Sequence, residues 1–198
     1  MAKVVDKIEK RKNIALSCKD LFVNNSLQNL TISKIAQTAG IGKGSLYDYF
    51  ENKEDIVFEL IDILLQESDL LKQAKLQKAS STQEKLKIFF DFYYAKETEE
   101  LREIFKDFTA ISLTNPNEKI LKYQTKIYDY YNTWLKDILQ EGIDKNELSK
   151  DALKYAGIFL VLAKGTFLSG IITTGLINLE EDLNLYIDFI FQSMKGNK

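Results

Sequence analysis

Between Thr31 and Lys53 the chain carries side chains suited to gripping a polyanion. Hydroxyls stand at Thr31, Ser33, Ser45, Tyr47 and Tyr49, ammonium groups at Lys34, Lys43 and Lys53, and two glycines, Gly42 and Gly44, flank Lys43. Hydroxyl and ammonium groups donate to phosphate oxygens, and such bonds position a protein on a nucleic-acid backbone without reading its sequence. Lys43 between two glycines differs from the rest. Its backbone can come close to a surface, and its side chain can reach a guanine edge or a phosphate. Other chemistry is poorly supplied. With no histidine and one cysteine, Cys18, the chain excludes tetrahedral zinc sites and histidine-based triads. It contains no recognisable nucleophile, metal-binding or phosphate-cradling motif, so neither an enzyme nor a cofactor is expected.

Two short helical patterns must position these groups. Thr31 is placed to cap the first, with Leu30 and Ile35 spaced as a hydrophobic staple. Ile32, Ile35, Ala36 and Ala39 then fall on one face, and the small alanines let a second helix approach. Gly40 stands where a helix C-terminus favours a residue tolerant of positive φ, and Ile41 supplies an apolar plug. The second pattern starts at Gly42, with Leu46 and Phe50 facing inward. Asn52 caps a third helix, and Lys53 in its first turn is unfavourable for the helix dipole but well placed beside a phosphate. So short a turn forces the first two helices to cross, which is a helix-turn-helix.

The run from Thr31 to Asp55, TISKIAQTAGIGKGSLYDYFENKED, preceded by an amphipathic helix with Ile14, Ala15, Leu21 and Phe22, resembles the DNA-binding domain of the TetR (tetracycline-repressor-like) family of bacterial transcriptional regulators. The resemblance covers about a quarter of the chain. It implies that Thr31, Tyr47, Tyr49 and Lys53 hold phosphates, while Ser33, Lys34, Gly42, Lys43, Gly44 and Ser45 lie at or near the major groove. The chain departs from the family pattern twice. Asn24-Asn25-Ser26 stands where many relatives have glycine after the first helix, and asparagine tolerates that turn at modest cost. Asp48 puts a carboxylate on the second helix, where it either accepts from a cytosine amine or faces away; the second is preferred.

The formal net charge is −2, but it is unevenly spread. Residues 1 to 53 carry nine Lys/Arg against five Asp/Glu, and residues 54 to 198 carry eighteen against twenty-four. Positive charge therefore sits where the motif is. Lys3, Lys7, Lys10, Arg11 and Lys12 precede the first apolar face, where basic segments often touch a DNA backbone, although solubility alone explains each one. A lone cysteine among Ala15, Leu21 and Phe22 reads as a packed hydrophobe and suits a reducing interior. With a charged N-terminus and no apolar signal segment, a cytoplasmic protein is expected. Residues 156 to 177 have a spanning length, but Lys164 and several glycines and hydroxyls interrupt them, so a helix buried by protein fits better than a membrane span.

Scarce proline and glycine, with abundant Leu, Ile, Lys and Glu, predict an all-α chain of about nine helices. A three-helix DNA-binding domain over 1–51 precedes a larger helical ligand-binding and dimerisation domain over 52–198. Expected helices run from Asn52 into the seventies, from Thr82 through Tyr94, from a Thr98 cap to about Asn115, from Pro116 to Gly142, from a Ser149 cap, and over Leu179–Met194. The last two are apolar over too much of their circumference for a monomer. Leu153, Gly157, Leu160, Val161, Lys164 and Leu168 share one broad side, with Leu183, Tyr186, Ile187, Ile190, Phe191 and Met194 on the other helix. A homodimer through a four-helix bundle follows, and the resemblance implies the same, with a pseudo-palindromic double-stranded operator as partner. Phe89, Phe92, Tyr93, Phe105, Phe108, Tyr123, Tyr131, Trp134, Phe159 and Phe167, with Lys164, are candidates to line a site for a small apolar or amphipathic effector, and equally suit a helical core. Control by a protein partner is the alternative. Glu99, Glu100, Glu103 and Asp107 read as a solvated acidic face.

Overall fold

Each helix begins or ends where the chain supplies a group for its unpaired backbone. In a computed structural model, which describes residues 2–195 with side chains from Asp6 onward, α1 covers Ala2–Ser17, α2 Lys19–Asn24, α3 Ile32–Thr38, α4 Lys43–Tyr47 and α5 Lys53–Leu76. Further on, α6 covers Thr82–Phe89, α7 Glu99–Thr114, α8 Glu118–Asp144, α9 Ala156–Ile172 and α10 Leu179–Met194. Among the described residues there is no strand, so the all-α reading holds. The described residues form ten helices, in keeping with the expected number of about nine, the first expected helix being broken at Cys18. The side chain of Lys3 lies outside the described residues.

Several boundaries differ from the sequence reading, each for a local reason. α6 stops at Phe89 instead of continuing to Tyr94, and a 3-10 turn follows over Asp91–Tyr93. Lys72 enters from α5 and donates to the last carbonyls, those of Ile88 (3.1 Å) and Phe89 (3.0 Å), and to Asp91 (2.6 Å), satisfying the helix end there. Ahead of α7 the Thr98 hydroxyl donates to the Phe92 (2.9 Å) and Ala95 (3.0 Å) carbonyls. Pro116 precedes the cap of α8, which is Asn117, whose Oδ1 accepts from Ile120 N at 3.0 Å. Gly142 lies inside α8 rather than closing it, and a Cβ there would sit 2.8 Å from Leu148 and Thr82. The chain turns instead at Asn146, with φ of 58°. Ser81 and Asn178 cap α6 and α10 through their side-chain oxygens.

The helices collect into two compact units. The first comprises Met1–Asp69 and Glu99–Tyr123, and the second Leu70–Thr98 and Gln124–Lys198, so α5 and α8 each contribute to both. In the first unit Ile14, Ala15 and Cys18 of the α1–α2 break, Ile35, Leu46, Ile56, Leu60, Leu101, Ile104 and Phe108 are buried. Burial pushes the Cys18 thiol above its ordinary value, as befits a packed hydrophobe. The second unit has its own core, which includes Leu86, Phe90, Leu135, Leu139, Phe159, Leu183, Ile187, Phe191 and Met194.

That core corrects the face assigned to α10. Leu183, Ile187, Phe191 and Met194 pack inside the chain. Apolar residues left outside include Leu185 and Phe189, 62% and 75% exposed, and Ile158, Val161 and Ile172 of α9, 51%, 67% and 79% exposed. Residues Ala152–Ile172 are long and apolar enough to cross a membrane by length and composition, with a mean hydropathy of 1.7. One side of this segment, through Ala156, Phe159, Ala163 and Phe167, is taken up by the protein core.

Ion pairs on the second unit give it an acid-side dependence. Lys145 (2.6 Å) and Lys85 (2.6 Å) hold the Glu141 carboxyl below the usual glutamate range, and Lys75 does the same for Glu97. A carboxylate lowered on folding stabilises the native state above its ordinary value of 4.5, and that contribution is lost as pH falls through the lowered value. The melting temperature should therefore fall on acidification below pH ~4.5, and E141Q should flatten that fall while lowering the melting temperature at neutral pH.

Candidate nucleic-acid interface

Thr31 sits in extended backbone and its Oγ1 accepts from Lys34 N at 3.2 Å, opening α3. The bond uses the oxygen as acceptor, so the hydroxyl proton remains available to an external acceptor. At the other end Gly40 adopts φ of 66°. Gly40 N donates to Gln37 O (3.2 Å) and Ile41 N to Ala36 O (3.0 Å), the paired bonds of a Schellman turn. Four residues thus separate α3 from α4, and Ile35, Ala36 and Leu46 are buried, which locks the two helices against each other.

The exposed side of this pair carries most of the expected groups. Thr31, Ser33, Lys34, Gly42, Lys43, Gly44, Ser45 and Tyr47 are exposed, and Tyr49 is half-buried. A Cβ at Gly44 would meet nothing within 4 Å, and one at Gly42 only Ser45 Oγ at 3.8 Å. Internal packing therefore does not require glycine at either place, and the bare backbone is open to an outside surface. Among the described residues Lys34 and Lys43 make no ion pair. Leu46 and Phe50, 1% and 3% exposed, anchor the opposite side.

Lys53 stands apart from this set. Its ammonium donates to the carbonyls of Leu27 (2.6 Å), Gln28 (3.2 Å) and Leu30 (3.1 Å), at the end of the 3-10 turn Leu27–Asn29. Three donors meet three acceptors, so the free protein gives Lys53 an internal task. Its position in the first turn of α5, awkward for the dipole, is explained by these carbonyls. Arg11 is likewise engaged: it pairs with Glu59 at 2.9 Å, donates to Tyr49 O, and lies 4.2 Å from the Phe50 ring centroid. It ties α1 to the end of α4 and to α5. Lys7 lies 6.0 Å from the Tyr49 ring centroid. Asp48 lines a cleft of about 290 Å³ with Arg11, Glu51, Asp55 and Lys119, the last of which pairs with Glu51.

Two contributors escaped the sequence reading. Asp107, assigned to a solvated face of α7, accepts from Ser26 Oγ at 2.8 Å and from Leu27 N at 2.7 Å, and Glu100 pairs with Lys19 at 2.7 Å. The acidic side of α7 is thus partly turned onto the segment that leads into α3. Phe58 of α5 stacks on Tyr123 (4.3 Å between centroids) and meets Phe108 edge-on (5.6 Å). No periodic signal in either helix names its partner.

The effector candidates divide between the two units. Phe105, Phe108 and Tyr123 belong to the first, where Tyr123 lies with its hydroxyl 2.9 Å from Asp62; burial, then that carboxylate, push its pKa up. The second holds the rest. Phe89 contacts Tyr131 and Trp134, and Phe92 and Phe167 each contact Tyr93, whose burial raises its pKa. Phe89, Phe159 and Phe167 are buried. Lys164 is half-buried, and desolvation lowers its pKa. Trp134 also borders a second cleft, about 250 Å³, with Lys85, Asp137 and Glu141.

A capped short helix, a glycine turn and a second helix with a bare, cationic start define a helix-turn-helix protein. Residues 19–60 match the family model for bacterial regulatory proteins, tetR family. An uncharacterized HTH-type transcriptional regulator of Bacillus subtilis, YhgD, is 24% identical over 140 residues, 70% of this chain and 73% of that relative. The HTH-type transcriptional regulator QacR of Staphylococcus aureus is 29% identical over 128 residues, 60% of this chain and 65% of that one. The crystal structure of a TetR-family transcriptional regulator from Cytophaga hutchinsonii superposes with a TM-score of 0.78 at 19% identity, covering 96% of both chains. The helix-turn-helix segment is thus similar to that of TetR-family regulators, and the chain shares the fold of the Cytophaga hutchinsonii protein.

The carbonyl partners of Lys53 set a clear test. K53A should lower the melting temperature and weaken DNA binding with little change in the salt slope; a slope smaller by about one unit without loss of stability would return Lys53 to the phosphate contacts.

Proposed function

We propose that the protein is a dimeric repressor that binds a pseudo-palindromic operator in the cytoplasm and is released by a small apolar or amphipathic effector. The observation that carries the DNA-binding part is the unpaired Lys43 between two glycines with open space above them. Thr31, Tyr47 and Tyr49 hold phosphates, Lys53 acts by bracing the turn before α3, and Ser33, Lys34 and the Gly42 to Ser45 surface meet the groove. A single head contributes few phosphate contacts, so pairing two of them is what makes the affinity useful.

The outward residues Ile158, Val161, Leu185 and Phe189 support pairing through α9 and α10. Release requires an effector that binds one arrangement of the heads better than the other, with coupling of about 1 to 3 kcal/mol. The half-buried Lys164 and the aromatic set around Tyr93 and Trp134 support a site of this kind. The close ring packing of Phe89, Phe90 and Phe159 favours a second reading, control by a protein partner without a small molecule.

Selection of duplexes from a random pool by the purified protein should yield a two-fold sequence. For that duplex K43A should reduce both affinity and the salt slope, the slope by about one unit; failure to enrich any sequence would sink the operator reading. In sedimentation the wild type should be a dimer at micromolar concentration, and F189E with V161K should be a folded monomer.

A further inference from the structure

The helix-turn-helix does not start from a free linker. Between α2 and α3 lies the single turn Leu27–Asn29, and its two ends are held by different helices. At its start the Asp107 carboxylate of α7 takes the Ser26 hydroxyl (2.8 Å) and the Leu27 amide (2.7 Å). At its end Lys53 of α5 takes the carbonyls of Leu27, Gln28 and Leu30. Thr31, the cap of α3, follows immediately. The side chain of Leu27 is 3% exposed, so the turn is also seated in the core.

α7 has little freedom of its own at this point. Phe108, next to Asp107, is 1% exposed and packs edge-on against Phe58 of α5 and Tyr123 of α8. All these groups belong to the first compact unit. The bonds of Asp107 differ in kind from the neighbouring surface contacts, Lys19 with Glu100 and Gln28 with Thr114. An ionised acceptor bonding a backbone amide fixes where the main chain runs, whereas exposed ion pairs fix little.

We propose that Asp107 is a positioning residue for operator binding: it registers the turn before α3 against α7, so that a displacement of α7 is carried into the angle at which α4 meets DNA. This rests on the operator reading above and adds a route by which α7 enters it. Asp107 touches no DNA. It sets the main-chain path of Ser26 and Leu27, from which α3, the Gly40 turn and α4 follow as one packed piece.

The test uses the full chain with the duplex it selects and a scrambled duplex of the same length. D107N keeps the volume but offers one acceptor oxygen where two bonds now end. It should lower affinity for the selected duplex about tenfold, leave affinity for the scrambled duplex within about twofold, and speed hydrogen exchange at the Leu27 amide and through α3. A merely structural loss would weaken both duplexes in parallel, and that result, or an unchanged ratio between them, overturns the proposal. Should D107N fail to fold, S26A, which removes one of the two bonds, decides: a ratio reduced about threefold supports the proposal, and an unchanged ratio overturns it. If the wild type itself binds both duplexes equally, the operator reading has failed rather than the role of Asp107.

Discussion

Every helix end leaves backbone amides or carbonyls without partners, and the ten helices of the described residues have many such ends. The structure depends on how they are satisfied. Near a helix start the sequence supplies local caps, as at Thr31, Ser81, Asn117 and Asn178. Elsewhere the partner is a charge from a distant helix: Lys53 on the Leu27–Asn29 turn, Asp107 on its start, Arg11 on the Tyr49 carbonyl, and Lys72 on the end of α6. A charge-assisted hydrogen bond contributes about 1.5 to 3 kcal/mol, and leaving a buried group unpaired costs a comparable amount. These few side chains therefore decide where helices stop and how the next one departs.

In the DNA-binding head this division has a functional consequence. The exposed face proposed to meet DNA carries groups with little internal work, such as Lys34, Lys43 and the two glycines, while the face behind it is fixed by Leu46, Phe50 and Arg11. A helix as short as α4, five residues, is not stable by itself. It exists because the Schellman turn and the buried Leu46 hold it, so the rigidity of the interface is imported from its supports. α7 joins those supports through Asp107 and Phe108.

Much of the head was legible in the sequence because its signals are local. Thr31 lies three residues before the amide it caps, and Gly40 occupies the one position with positive φ in the turn. Leu46 and Phe50 mark the inward side by their spacing. The reading of Lys53 was harder: a cation in a first turn looked exposed and useful to phosphate, yet its acceptors lie more than twenty residues earlier in the chain. Asp107 was hidden for the same reason, with partners about eighty residues away. On α10 the apolar pattern runs around the helix, and periodicity alone does not tell which stripe is core. The buried neighbours did: Leu183 and Ile187 turned inward, Leu185 and Phe189 outward.

By itself the sequence determined the helical class, the helix-turn-helix and the residues on its outer surface, because caps, glycine turns and helical periodicity act over a few residues. The tertiary structure alone decided where Arg11, Lys53, Lys72 and Asp107 are engaged and which side of α10 remains uncovered. Those outcomes depend on which helix arrives beside a given backbone group, and one-dimensional spacing carries no record of that arrival.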